Sequence, residues 1–188
     1  MHFGPSEILP YWLRAHGIVT TTIRGFAPGS RDSLTKYQYA LSPPADVPVF
    51  LHVDEMVPLP RVAHVRQLLG PGRRLLVEVD VDRGIQINVP FDNHLFRVAA
   101  GAIRLAALAG AELIPCLIVE TASWSYTIHF GDPVPGNYLG NSPDLEAAAA
   151  HLLKEFRKVV VRYPEQCNET FLSSISPSVV DGASDINL

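Results

Sequence analysis

Leu145, Ala149, Leu152, Leu153, Phe156 and Val160 recur at three- and four-residue steps, the spacing that lines one face of a helix. The stretch 124–130 has the other period. Trp124, Tyr126, Ile128 and Phe130 alternate with Ser125, Thr127 and His129, which predicts a half-buried strand paired with its predecessor. That predecessor is the apolar run 113–119, read as a buried strand. Segments 18–24, 47–53 and 74–79 are apolar or β-rich and read as further strands. Helices are predicted over 8–16, stopped by Gly17, and over 30–41, with Ser30 as N-cap. Another is predicted over 60–69, with Pro60 at its start and Gly70 at its end. Residues 98–109 are apolar nearly all round and predict a buried helix. Between these lies 80–96, read as a long connection with a short strand around 85–89.

Strands alternating with helices predict an α/β fold: a mainly parallel central sheet with helices on both faces. The chain of 188 residues reads as one domain over 1–174, followed by a polar, small-residue tail over 175–188 expected to be disordered. Apolar residues make up 47% and charged residues only 18%, so part of the apolar surface is expected to meet a lipid or a partner. The formal net charge is −4 and no polybasic run occurs, which argues against nucleic acid as partner. Two cysteines, Cys116 and Cys167, suggest neither a disulfide framework nor a zinc site and fit a reducing, cytoplasmic setting. No secretory leader is read in residues 1–10, and no apolar run reaches the roughly 18 residues that span a bilayer.

Three places carry candidate chemistry. In His2-Phe-Gly-Pro-Ser-Glu7 a carboxylate can orient an imidazole and stabilise its protonated form. Five steps on an ideal helix rotate about 140° and would part the two side chains. Gly4-Pro5 allows His2 to sit in a loop and Glu7 in a first turn, so that they can meet. The alternative is an ordinary helix start with Glu7 favouring the dipole. Asp80 and Asp82 follow the strand 74–79, where α/β proteins bind ligands, or else simply begin a polar loop. Arg97, Gly101 and Arg104 fall on one face if 97–104 is helical, a pair of guanidinium groups for phosphate or a solvated face. Alternation puts His52 and Asp54 of His52-Val-Asp-Glu55 on one face, but no third ligand is evident, so the run reads as a loop cluster and no metal is expected. Gly-x-Ser-x-Gly, P-loop and Gly-x-Gly-x-x-Gly patterns do not occur.

Taken in order, these pieces resemble the lysophospholipid acyltransferase superfamily, in its bacterial lipid A biosynthesis (lauroyl/myristoyl) branch. His2 to Glu7 matches the His-x-x-x-x-Asp/Glu block. Asp80-Val-Asp82 and Val89-Pro-Phe91 resemble the elements that follow an apolar strand. Gly101 to Ala106, Ala111 to Pro115, and Pro164-Glu-Gln166 resemble the later helix, strand and Pro-Glu-Gln. The match runs over roughly 1–172. The family normally has an upstream segment leading into the histidine, and the stretch beginning Lys36-Tyr-Gln-Tyr lacks its arginine-bearing block.

The resemblance implies a glycerolipid acyltransferase-like fold and an O-acyl transfer. A fatty acyl group would pass from acyl carrier protein or coenzyme A to a hydroxyl of a lipid acceptor. It assigns His2 as general base and Glu7 as its partner, with Asp80, Asp82, Arg97 and Arg104 toward substrate. No cofactor is implied beyond the thioester donor. The setting would be cytoplasmic, compatible with the inner face of the cell membrane. Two other readings stand beside it. One is a non-catalytic relative that binds lipid or acyl carrier. The other is an Asp80-dependent phosphatase, because Asp80-x-Asp82 also resembles haloacid-dehalogenase-like strand ends, although their later motifs are missing.

Overall fold

The computed structural model describes residues 3–24, 49–52, 74–80 and 84–177. The apolar stripe from Leu145 becomes the longest helix described, α3 (Leu145–Val160). Asp144 caps it by accepting a hydrogen bond from the Ala147 N–H at 3.0 Å. Sixteen residues make a rod of about 24 Å, and its buried face, Ala149, Leu152, Leu153 and Phe156 among others, forms the centre of the main core.

Around this rod the elements are mixed. A 3-10 turn (Ser6–Ile8) runs into α1 (Leu9–Ala15), and Gly17, at φ 76°, follows that helix. Next come β1 (Thr21–Arg24), β2 (Val49–His52) and β3 (Leu75–Val77). They pair in parallel in the order β2-β1-β3, Thr21 standing beside both Val49 and Leu75. The second sheet is antiparallel, β4 (Gln86–Phe91), β5 (His94–Ala99) and the short β8 (Ile175–Pro177). The third is a hairpin, β6 (Cys116–Ala122) with β7 (Ser125–Phe130). Between the last two sheets in sequence lies α2 (Gly101–Ala109), closed by Gly110 in the left-handed region. Near the C-terminal end, α4 (Glu169–Ser173) is capped by Asn168.

Several expectations change here. Parallel pairing is confined to β1, β2 and β3 among the described residues, so the protein is mixed α and β with sheets of both kinds rather than one evident parallel sheet. The predicted connection 80–96 contains most of a hairpin. Its turn, Asp92-Asn93, uses Asp92 at φ 52°, a conformation that Asp tolerates better than most residues. The helix predicted from 98 begins only at Gly101, because residues through Ala99 are extended and paired with β4, Ile87 beside Val98 and Gln86 beside Ala99. It is also not buried all round, since Arg104 and Leu108 are exposed. The stretch read as a tail starts with β8, and its residues 178–188 lie outside the described residues. The helices predicted over 30–41 and 60–69 lie outside them too.

Four phenylalanines tie distant segments together. Phe171 of α4 meets Phe96 at 5.1 Å between ring centroids, Phe3 at 5.9 Å and Phe91 at 6.4 Å. Tilted and edge-on rings at such separations attract beyond their simple burial. Phe3 is fully buried. The start of the described chain is thus anchored in the main core.

Candidate active site

The segment that follows His2 is held by three contacts. Phe3 bridges Cys167 in antiparallel fashion, and its ring packs on Phe171. The Gly4 N–H donates to Gln166 O at 2.8 Å. Gly4 itself is at φ 58°, and a methyl group there would collide with the Ile118 carbonyl oxygen. Only glycine satisfies both conditions. Pro5 then opens the turn that contains Glu7.

Gln166 also faces the other way. Its amide Nε2 donates to Glu120 O, and its Oε1 accepts from the Glu120 N–H, both at 2.9 Å. This pair of bonds mimics a strand partner and satisfies β6 at Glu120. The Pro164-Glu-Gln166 turn therefore joins the His2–Glu7 block to the β6–β7 hairpin.

Beside this junction lies a cavity of about 570 Å³. Ser6 and Leu13 border it on one side, and Val77 of β3, Ala106 of α2 and Ile118 of β6 on others. Its wall is mostly aliphatic. The charged residues bordering it, among those described, are Arg74, Glu78 and Glu112. Thr20 and Thr22 also border it, and their hydroxyls are buried without a hydrogen-bond partner. Cys116 lines it as well, and burial pushes its thiol pKa up to about 12. A thiol so reluctant to ionise is a poor nucleophile.

Of the residues predicted from sequence, Glu7 is half-buried in the 3-10 turn. His2 and Asp82 lie outside the described residues. Asp80 is 3% exposed, just past β3. The cavity brings the His2–Glu7 block, through Phe3 and Ser6, and the strand end before Asp80, through Glu78 and Val79, onto one space. The two arginines do not share a helical face. Arg97 is on β5, where its Nη2 donates to Ser173 O at 2.7 Å, whereas Arg104 is exposed on α2. The sequence carries no local signal for the bonds that Gln166 makes to Glu120, and Glu78 was not among the predicted site residues. The visible signal for Glu78 was a lone carboxylate inside Leu75-Leu-Val-Glu-Val79.

A second, polar recess of about 250 Å³ sits between β7 and α3. Glu155 there is buried, and Lys158 Nζ lies 2.6 Å from its Oε2. The lysine's hydrogen bond is the main reason the carboxyl titrates below its ordinary range. His129 is held below the usual imidazole value, by burial first and by Arg162 second. Gly131 leaves room for the Glu155 side chain, which a Cβ would meet at 2.8 Å.

Among the described residues, no cluster of three or more His, Cys, Asp or Glu side chains is arranged to hold a metal, and no helix is long and apolar enough to cross a membrane. Of the His52, Asp54 and Glu55 group, the last two lie outside the described residues. No protein-family model matches this chain, and no curated protein matches it either.

Proposed function

We propose that this protein is an acyltransferase of the lysophospholipid acyltransferase kind, moving a fatty acyl group from an acyl thioester to a lipid hydroxyl. The observation that carries the reading is the aliphatic cavity bordered by the segment between His2 and Glu7. An apolar space of this size beside a potential acid/base pair suits an acyl chain whose reacting end lies at the mouth.

In this reading His2 takes the proton of the acceptor hydroxyl as its oxygen attacks the thioester carbonyl carbon. Glu7 orients the imidazole and stabilises it when protonated. The tetrahedral intermediate collapses with loss of the thiolate, which receives the proton from His2. No acyl-enzyme forms, because the thioester is already activated; the high pKa of Cys116 agrees with this. The donor is acyl carrier protein or coenzyme A, and the work is done at the cytoplasmic face of a membrane. Asp80 and Asp82 brace the acceptor side. Arg104, exposed on α2, is the better placed of the two arginines to meet a phosphate, since Arg97 is engaged with Ser173. A mainly parallel sheet of the glycerolipid acyltransferase type belongs to the same proposal.

The test is thiol release from a long-chain acyl thioester, with and without a glycolipid or lysophospholipid acceptor. Acceptor-dependent release supports the enzyme. Saturable acyl binding without release identifies a non-catalytic binding relative. Magnesium-dependent phosphate release abolished by Asp80→Asn would identify the phosphatase.

A further inference from the structure

The cavity has walls of two kinds. Leu9 and Leu13 of α1, Ala102 and Ala106 of α2 and Ile118 of β6 give it aliphatic sides. The β1 side is different. Side chains alternate along an extended chain, so Thr20 and Thr22 share a face, and both border the cavity. Thr20 is 7% exposed and Thr22 4%. Neither hydroxyl has a hydrogen-bond partner among the described residues.

Two such hydroxyls on one wall are unfavourable for the fold by itself. A buried hydroxyl left unpaired costs as much as its lost hydration, and such groups are rare in native proteins. Valine has nearly the same shape without that cost, suits a strand equally, and already stands beside them at Val19. The adjoining strand β3 offers Thr22 no side-chain partner, because the parallel register sets it beside Leu76. Rotation about Cα–Cβ exchanges the hydroxyl and methyl positions, and so turns either hydroxyl toward the cavity with the backbone unmoved.

We infer that the aliphatic chain held in this cavity carries a hydroxyl part-way along its length, and that Thr20 and Thr22 bind it. The inference rests on the proposed use of the cavity for an acyl chain and narrows the substrate class to hydroxylated chains. A hydroxyl both donates and accepts, so it complements two threonine hydroxyls that can each do the same. The aliphatic sides take the methylenes before and after it. An ionised group does not fit at this depth, because it would need an opposite charge beside it. Arg74, the cation bordering the cavity among the described residues, is exposed. An unsubstituted chain fills the same space but leaves both hydroxyls unpaired.

Equilibrium binding of fatty acids to the full chain is the test. The probes are hexadecanoic acid and its monohydroxy isomers, with the hydroxyl moved along the chain one carbon at a time. The parent should bind one isomer, or neighbouring isomers, about three- to tenfold more tightly than the unsubstituted acid, the worth of one neutral hydrogen bond. Thr20→Val and Thr22→Val should each reduce that ratio, and the double variant should bring it to one. Thr22→Ser keeps the hydroxyl and should retain the preference. Binding of the unsubstituted acid reports in each variant that the cavity is intact. A parent that binds no isomer more tightly than the unsubstituted acid overturns the inference and leaves the acyltransferase reading standing. So does a preference that survives in the double variant. A protein that binds none of the acids overturns both.

Discussion

Gly4 donates its N–H to the carbonyl of Gln166 at 2.8 Å, while the Gln166 side chain holds Glu120 of β6 by two further bonds. One turn near the C-terminal end therefore fixes both the segment that follows His2 and the strand that walls the cavity. This arrangement leads to the first prediction. Gly4→Ala forces an alanine into the left-handed region against the Ile118 carbonyl, and costs about 1–3 kcal/mol or more in stability. Chemical denaturation measures it. A loss under a few tenths of a kcal/mol would mean that the segment is not held as described.

Thr22→Val should act in the opposite direction. The Thr22 hydroxyl is buried with no partner, and valine has nearly the same shape. Leaving such a group unsatisfied costs about 1–3 kcal/mol, so the substitution should leave stability unchanged or raise it by roughly 1 kcal/mol. A drop in the denaturation midpoint would show that the hydroxyl is bonded in solution.

The two cysteines should differ in reactivity. Burial raises both thiols, Cys116 to about 12, and Cys167 is lifted by burial and then by Glu165. Both keep their protons at neutral pH, so alkylation of the native chain should be slow at both, slowest at Cys116, and fast on unfolding. A raised thiol favours the fold at low pH. Its contribution is present below the ordinary value of 9.0 and is lost as pH rises through the folded-state value. Mass-resolved labelling with iodoacetamide follows both sites, and rapid native labelling at Cys116 would contradict its burial.

Glu155 and Lys158 predict an acid-sensitive contribution. The carboxyl is held below its ordinary 4.5, chiefly by the Lys158 hydrogen bond. The folded state thus binds this proton less well than the unfolded state. The stabilisation is present above 4.5 and is lost as pH falls through the lower folded value. Lys158 is raised by the same bond, so its share is present below 10.5 and is lost as pH rises through the folded value. Glu155→Gln should lower the melting temperature at neutral pH, with the gap to the parent closing in acid. A gap that widens in acid would reverse the assignment.

Legibility followed the range of the interactions. The α3 stripe and the β6–β7 alternation were readable because each period is a local property. Arg97 was not. The run Val98-Ala-Ala100 suits a strand or a helix equally, and what settles it is bonding to Ser174 and Val79, far along the chain. The same holds for Gln166, whose partner Glu120 is 46 residues away. Gly4 and Pro5 could be read locally, and the positive φ at Gly4 matches the turn expected of it. The placement of Asp80 past a strand was also readable, but its near-complete burial was not, because burial depends on what packs over it.

In the proposed acyl transfer, His2 is the base and Glu7 orients it. Turnover of a long-chain acyl thioester with a lipid hydroxyl acceptor should fall by about 10²–10⁴ in His2→Ala, with acyl-chain binding retained, and by less in Glu7→Gln. Equal turnover in the parent and His2→Ala would remove His2 as the base.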